Sequence, residues 1–188
     1  PEDMLTSLTD AAPLTAPVTV HEPAPGAGTI DTALGLLAAS RRPLLMIGGC
    51  NWQAGGRAAL QAFAEGSDIP VIAGFRYQDA FDNHSPAYAG EAGVGMPPHV
   101  KALIREADTI LAVNIRFGEM TTDGYTLLAV PEPAQRLIHV HASEAELGKI
   151  YRPALAIQAG PNAFAAALRP VQGPVSYTHL RAHETKAN

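Results

Sequence analysis

Several short clusters in this chain carry residue types that could do chemistry. Gly48-Gly49-Cys50-Asn51 follows an apolar run and precedes a helix-like pattern, so its backbone N–H groups could face an anion. Cys50 would stand near that helix start, where a thiol becomes more acidic, although a small buried residue is the expected role. Gly74-Phe75 closes a second apolar run. Asn114 and Arg116 close a third, and a forked guanidinium at 116 could pair with a pyrophosphate or with a carboxylate of the protein itself. His139 and His141 share one face of a strand because side chains alternate with period two. A metal pair is geometrically open to them, but no third His or Cys stands close in sequence, so they are read as core or cleft histidines and no metal site is assigned. Lys149, Tyr151 and Arg152 follow a turn and are expected on the surface.

The nucleotide fingerprints that would give these clusters a ligand are not present. Gly48 and Gly49 are adjacent and the next glycine pair is 55–56, which is not G-x-G-x-x-G, and no G-K-[ST] occurs. No residue of this chain is assigned a catalytic role.

The elements that must position these residues follow from periodicity. Short apolar runs at 44–47, 70–73, 109–113, 136–141 and 154–158 read as buried strands. Helical patterns occupy 56–66, 98–107 and 161–168, with a turn at 143–148. A first helix is expected after Thr29 or Asp31, either of which could cap it, with Ile30, Leu34, Leu36 and Leu37 as its apolar positions and Arg41-Arg42 beyond its end. Such alternation predicts an α/β, Rossmann-like, doubly wound parallel sheet of five to six strands with helices on both faces, in the order 3-2-1-4-5-6. Ligands of such sheets bind beyond the carboxyl ends of the strands, here residues 48–51, 74–76, 114–117 and 141–143.

Bulk properties bound the rest. A chain of 188 residues, 47% hydrophobic, supports one sizeable core. Thirteen basic against eighteen acidic residues, with no long basic cluster, argue against a nucleic-acid partner, and no apolar run approaches the roughly 20 residues of a membrane span. The single cysteine, Cys50, permits no internal disulfide, which suits a reducing cytoplasm. Residues 11–28, with Pro13, Pro17, Pro23 and Pro25, read as an interdomain linker. Residues 175–188 are expected to be a non-native tail: VSYTHLRAHET, residues 175–185, resembles the translated end of a transposase adapter used in DNA library preparation.

In order and spacing, the segments resemble the central domain of thiamine diphosphate-dependent enzymes of the acetolactate synthase and 2-keto acid decarboxylase superfamily. PEDML resembles the end of a preceding pyrimidine-binding domain, assigned to residues 1–10, and the central domain is assigned to 29–174. RRPLLMIGGCNW resembles the first strand and turn, and DIPVIAGFRYQDAFDNHSPAYAGEAG the second strand and the loop after it, in which Glu91 stands. ADTILAVNIRFGEMTT is similar to the strand followed by G-x-R-F, and LIHVHASEAELGKIYRP to the H-x-D-x-D-x-x-E-x-G-K segment.

The resemblance implies that thiamine diphosphate and Mg2+ serve the parent enzyme but are held by two other domains, through a glutamate and a GDG...N segment. This chain would then be a non-catalytic scaffold and a fragment of a longer enzyme acting on 2-keto acids. Its partners would be the other domains of that enzyme, and the intact protein would be a homo-oligomer. The central domain of this superfamily holds FAD, ADP or nothing, and Gly48, Gly49, Cys50, Asn51, Gly74, Phe75, Asn114, Arg116 and His141 are the residues expected at its cleft. The chain departs from the flavin-binding pattern where His141 replaces an aspartate, where the acidic pattern after G-x-R-F is altered to Gly118-Glu119, and where Asn114 replaces the glycine of G-x-R-F, so weak FAD affinity is expected. The competing reading is a nucleotide- or flavin-binding Rossmann-like domain of an oxidoreductase or electron-transfer protein.

Overall fold

The computed structural model describes residues 2–8, 10, 16 and 21–172. The expected tail at 175–188 and much of the expected linker lie outside the described residues. Six strands form one parallel sheet: β1 (Pro43–Ile47), β2 (Val71–Gly74), β3 (Tyr88–Ala92), β4 (Thr109–Val113), β5 (Arg136–His141) and β6 (Leu155–Gln158). Their order is β3-β2-β1-β4-β5-β6, as expected, with β1 paired to β4 in register Leu45↔Leu111 and β4 to β5 in register Leu111↔Ile138.

Alternation along the strands divides the core. Leu45 and Ile47 of β1, Leu111 and Val113 of β4, and Ile138 and Val140 of β5 face a layer made by α1 (Ala27–Ala38), α2 (Ala54–Gly66) and α4 (Pro161–Ala167). Ile30, Leu34 and Leu37 of α1, Leu60 and Phe63 of α2 and Phe164 of α4 meet them there. Leu44, Met46, Ile72, Ile110 and Leu137 point the other way, onto Val100 and Ile104 of α3 (Pro98–Glu106) and onto Phe117, Leu127, Leu128 and Tyr151 of the long connections. Fully burying each such side chain contributes about 1.5–3 kcal/mol before chain entropy is charged against it.

Four details differ from the sequence expectation. First, β3 lies inside what reads as a loop: its Gly90, at φ +124°, and Glu91 interrupt the apolar pattern, and its pairing to β2 shifts register between Val71 and Ile72. Second, α1 begins at Ala27 with Gly26 as its N-cap, and neither Thr29 nor Asp31 caps it; Asp31 instead accepts from Arg169 Nη2 at 2.6 Å. Third, Tyr151 is buried, at 1% exposure, with its ring edge-on to Phe117. Fourth, Cys50, in the turn after β1, is exposed rather than buried.

Candidate functional site

The carboxyl ends of β1, β2, β4 and β5 converge on one side of the sheet, and four residues in the left-handed region stand in the connections that leave them. Gly49 (φ +70°), Asn51 (+69°), Arg76 (+67°) and Asn114 (+55°) all adopt a conformation that most side chains avoid. Gly49 needs it and needs to be glycine: a Cβ there would lie 2.3 Å from the Asn114 carbonyl and 2.4 Å from its Nδ2. Asn114 is buried, its N–H donates to Val140 O at 2.8 Å, and its Nδ2 donates to Cys50 O at 2.9 Å. Asparagine tolerates the left-handed region and brings an amide that pins the glycine turn, which accounts for its place at a position where a glycine is expected. Gly48 and Gly74 serve the same packing. Ile115, 1% exposed, drives between them, and a Cβ on Gly48 or Gly74 would approach its side chain to 3.1 and 3.0 Å. Trp52 closes the turn by donating from Nε1 to Gly48 O at 2.9 Å.

Two hollows flank this packed centre. The first, about 320 Å3, is walled by Gly49, Cys50 and Asn51, by Trp52 and Arg57 at the start of α2, and by Arg76, Tyr77 and Asp79 after β2. Arg57 Nη1 donates to Trp52 O at 2.9 Å. Arg76 lays its guanidinium 5.0 Å from the Phe75 ring centroid, and its N–H donates to Glu91 Oε1 at 3.1 Å. Glu91 Oε2 also accepts from Gln78 Nε2, so this carboxylate is spent on shaping the loop after β2.

The second hollow, about 370 Å3, shares Tyr77 and is bounded by Phe75, Arg116, Phe117, Glu119, Tyr125, Glu146 and Lys149. Arg116 does not reach the glycine turn. Its Nε lies 3.4 Å from Glu146 Oε2, while Lys149 Nζ lies 3.1 Å from Glu146 Oε1. Partial burial pushes the Glu146 carboxyl up, but Lys149 and Arg116 outweigh it and hold the group below the usual carboxylate range.

His139 is buried, and its Nε2 lies 3.0 Å from Ile115 O; a donor at that nitrogen anchors the β4 connection. Burial depresses its pKa, with His141 acting in the same direction against the Ile115 carbonyl and Glu146. His141 sits at the rim, where its Nδ1 accepts the Ser143 N–H at 3.0 Å. The two rings are 6.2 Å apart, and among the described residues no three His, Cys, Asp or Glu side chains gather as a metal ion requires.

The expected cleft residues thus fall into three groups. Gly49, Cys50 and Asn51 line the first hollow, and Phe75 and Arg116 the second; Gly48, Gly74 and Asn114 lie beneath, filled by neighbouring side chains; and His141 turns to its own loop. Arg57 and Asp79 were not legible as site residues, and Arg76 was legible only as part of the strand end at 74–76. The signal available was position alone: Arg76 stands two residues after β2, and Arg57 in the first turn of α2.

Residues 30–168 match the family described as thiamine pyrophosphate enzyme, central domain. The chain belongs to this family. A sulfoacetaldehyde acetyltransferase from Rhodobacter capsulatus is 30% identical over 166 residues, covering 88% of this chain and 28% of that protein. An acetolactate synthase large subunit from Parasynechococcus marenigrum is 29% identical over 130 residues, covering 69% of this chain and 21% of the relative. The isozyme 2 large subunit of acetolactate synthase from Escherichia coli K12 is 26% identical over 140 residues, covering 74% and 25%. This central domain therefore spans about a quarter of the length of the curated relatives it matches. Among its described residues no helix is long and apolar enough to cross a membrane.

Proposed function

We propose that this central domain is the scaffold of a thiamine diphosphate-dependent enzyme acting on 2-keto acids, and that its first hollow takes the phosphates of an adenine nucleotide such as ADP. The match to the central-domain family over residues 30–168 carries the first part. When bound, thiamine diphosphate supplies an electron sink for making or breaking a carbon–carbon bond beside a carbonyl. The donor set of this chain does not fit that cofactor or its Mg2+. Its sequence has no GDG segment, and its described carboxylates do not gather in threes. The names of the relatives, acetolactate synthase and sulfoacetaldehyde acetyltransferase, favour transfer of a two-carbon acetyl unit; its partners in this reading are other domains of the same enzyme and a second copy of it. The exposed thiol of Cys50 suits a reducing cytoplasm.

The nucleotide reading is carried by two arginines, Arg57 and Arg76, which line one hollow beside the glycine turn. Forked, permanently charged donors of this kind suit phosphate oxygens. Asp79 on the same wall could accept from a ribose hydroxyl. A flavin finds less: His141, in the place of the aspartate, has its Nδ1 occupied by the Ser143 N–H. The purified protein is accordingly expected to be colourless.

Calorimetric titration with ADP tests the assignment. Arg76→Ala should weaken binding roughly ten- to a hundredfold, the value of a lost charge-assisted contact of about 1.5–3 kcal/mol. Arg116→Ala, whose guanidinium pairs with Glu146 in the other hollow, should leave it within about threefold. The opposite ranking would move the phosphates to Arg116, and the absence of saturable heat would leave the scaffold role alone.

A further inference from the structure

One side chain joins three segments that are far apart in sequence. Asn162, in the first turn of α4, donates from Nδ2 to Asn51 O at 2.9 Å, and its Oδ1 accepts the Gln53 N–H at 2.8 Å. Both ends of its amide therefore grip the turn between β1 and α2. The fit is close enough to dictate Gly56, where a Cβ would lie 2.2 Å from Asn162 Oδ1. The same amide is held from the other side by Glu22, in the segment that leads into α1. Glu22 Oε1 accepts from Asn162 Nδ2, and Oε2 accepts the N–H groups of Asn162 and Ala163, each at 3.1 Å. Gly160 N–H donates to Pro23 O at 2.8 Å, and a Cβ on Gly160 would meet the Glu22 side chain at 2.4 Å.

An amide rotates about its last bond at little cost unless both ends are engaged. Glu22 is the charged partner in this set, and hydrogen bonds to an ionised acceptor are the stronger ones. We propose that Glu22 and Asn162 form a latch through which docking of the segment preceding α1 sets the shape of the 51–53 turn. Both are positioning residues, since neither lines the first hollow; they act through the backbone of Asn51 and Gln53. The segment concerned is the end of the expected interdomain linker, so movement of that linker and the geometry of the turn are mechanically coupled. Only the consequence for ligand affinity rests on the nucleotide reading; the coupling itself does not.

The protein carries its own reporter. Trp52 is the one tryptophan in the sequence, it lies between the two gripped residues, and no hydrogen bond joins it to Glu22. In Glu22→Ala, Trp52 emission should shift to longer wavelength and become more accessible to acrylamide. Asn162→Ala should do the same, and the double variant should add little to either. Asp31→Ala, which breaks the Asp31–Arg169 ion pair elsewhere on the same layer, should leave the emission unchanged. Should Glu22→Ala fail to fold by circular dichroism, Glu22→Gln, which keeps one acceptor oxygen, should give a smaller shift in the same direction. A lowered thermal midpoint with wild-type emission and quenching would show that Glu22 merely caps α4 and would overturn the coupling, as would additive effects in the double variant. ADP affinity, measured in parallel, separates the readings: if the wild type does not bind ADP while the tryptophan responds, the nucleotide assignment fails and the latch stands.

Discussion

At the scale of single residues, His139 shows how the sequence predicts a place and leaves a role open. Its two-residue spacing from His141 correctly placed both rings on one side of β5. Only the fold shows that one is sealed under Phe117, beside the Ile115 carbonyl, and the other turned to its own loop. Burial is the larger cause of its depressed pKa, so the unfolded chain takes up its proton at higher pH than the folded protein does. The stability that neutral His139 contributes is therefore complete above the unfolded imidazole value, near pH 6.5, and is lost as pH falls through the lower folded value. Chemical denaturation between about pH 5 and 7 should show stability rising with pH, and His139→Gln, which retains an amide donor, should flatten that slope. A slope unchanged in the variant would assign it to another group. Glu146, which faces this histidine, titrates below the usual carboxylate range, outside that window, and His141 remains in the variant as the control.

At the scale of elements, periodicity identifies β1, β2, β4 and β5 because each is an apolar run, as strands covered on both faces must be, and it identifies the edge strand β6 because LAIQ still opens with three apolar residues although it is partly exposed. The sixth, β3, escapes because an edge strand needs no such run: YAGEA carries a glycine that admits Val100 of α3 and a glutamate that turns to the loop after β2. Helices α3 and α4 begin where the pattern places them, at Pro98 and Pro161, whereas α1 and α2 begin earlier. Capping side chains are only one way to begin a helix, and α1 begins on Gly26 without one. The amino-terminal edge of the sheet is tied by a contact no pattern announces. Asp108, just before β4, accepts from Ser40 Oγ, from Arg41 N–H at 2.9 Å and from Arg42 N–H at 3.3 Å, joining the end of α1 to the entry of β1. Partial burial pushes this carboxyl up, but those three donors outweigh it and hold it below the ordinary value. Asp108→Ala removes all three at once and should cost about 2–3 kcal/mol, lowering the thermal midpoint by roughly 4–10 °C. A change under about 1 °C by calorimetry would show that water replaces the carboxylate without loss.

At the scale of the whole molecule, strand order was legible because the alternation of strands and helices leaves few topologies open, and the order of the motifs along the chain points to one family. What faces the cleft was less legible. Glycines that read as a ligand cradle are filled by Ile115 and Asn114, and the cations beside the turn are Arg57 and Arg76, brought in by the α2 start and by a left-handed residue after β2. Neither follows from spacing, since both depend on how the loops fold back over the sheet. The resulting domain orders its own loops and presents two hollows at the carboxyl end of the sheet; under the proposed function, the chemistry of the thiamine ring falls to other domains. Calorimetric titration of this 188-residue chain with thiamine diphosphate in the presence of Mg2+ tests that division of labour most directly. No saturable heat is expected; saturable binding in the micromolar range would place the cofactor's ligands within this domain and contradict that division.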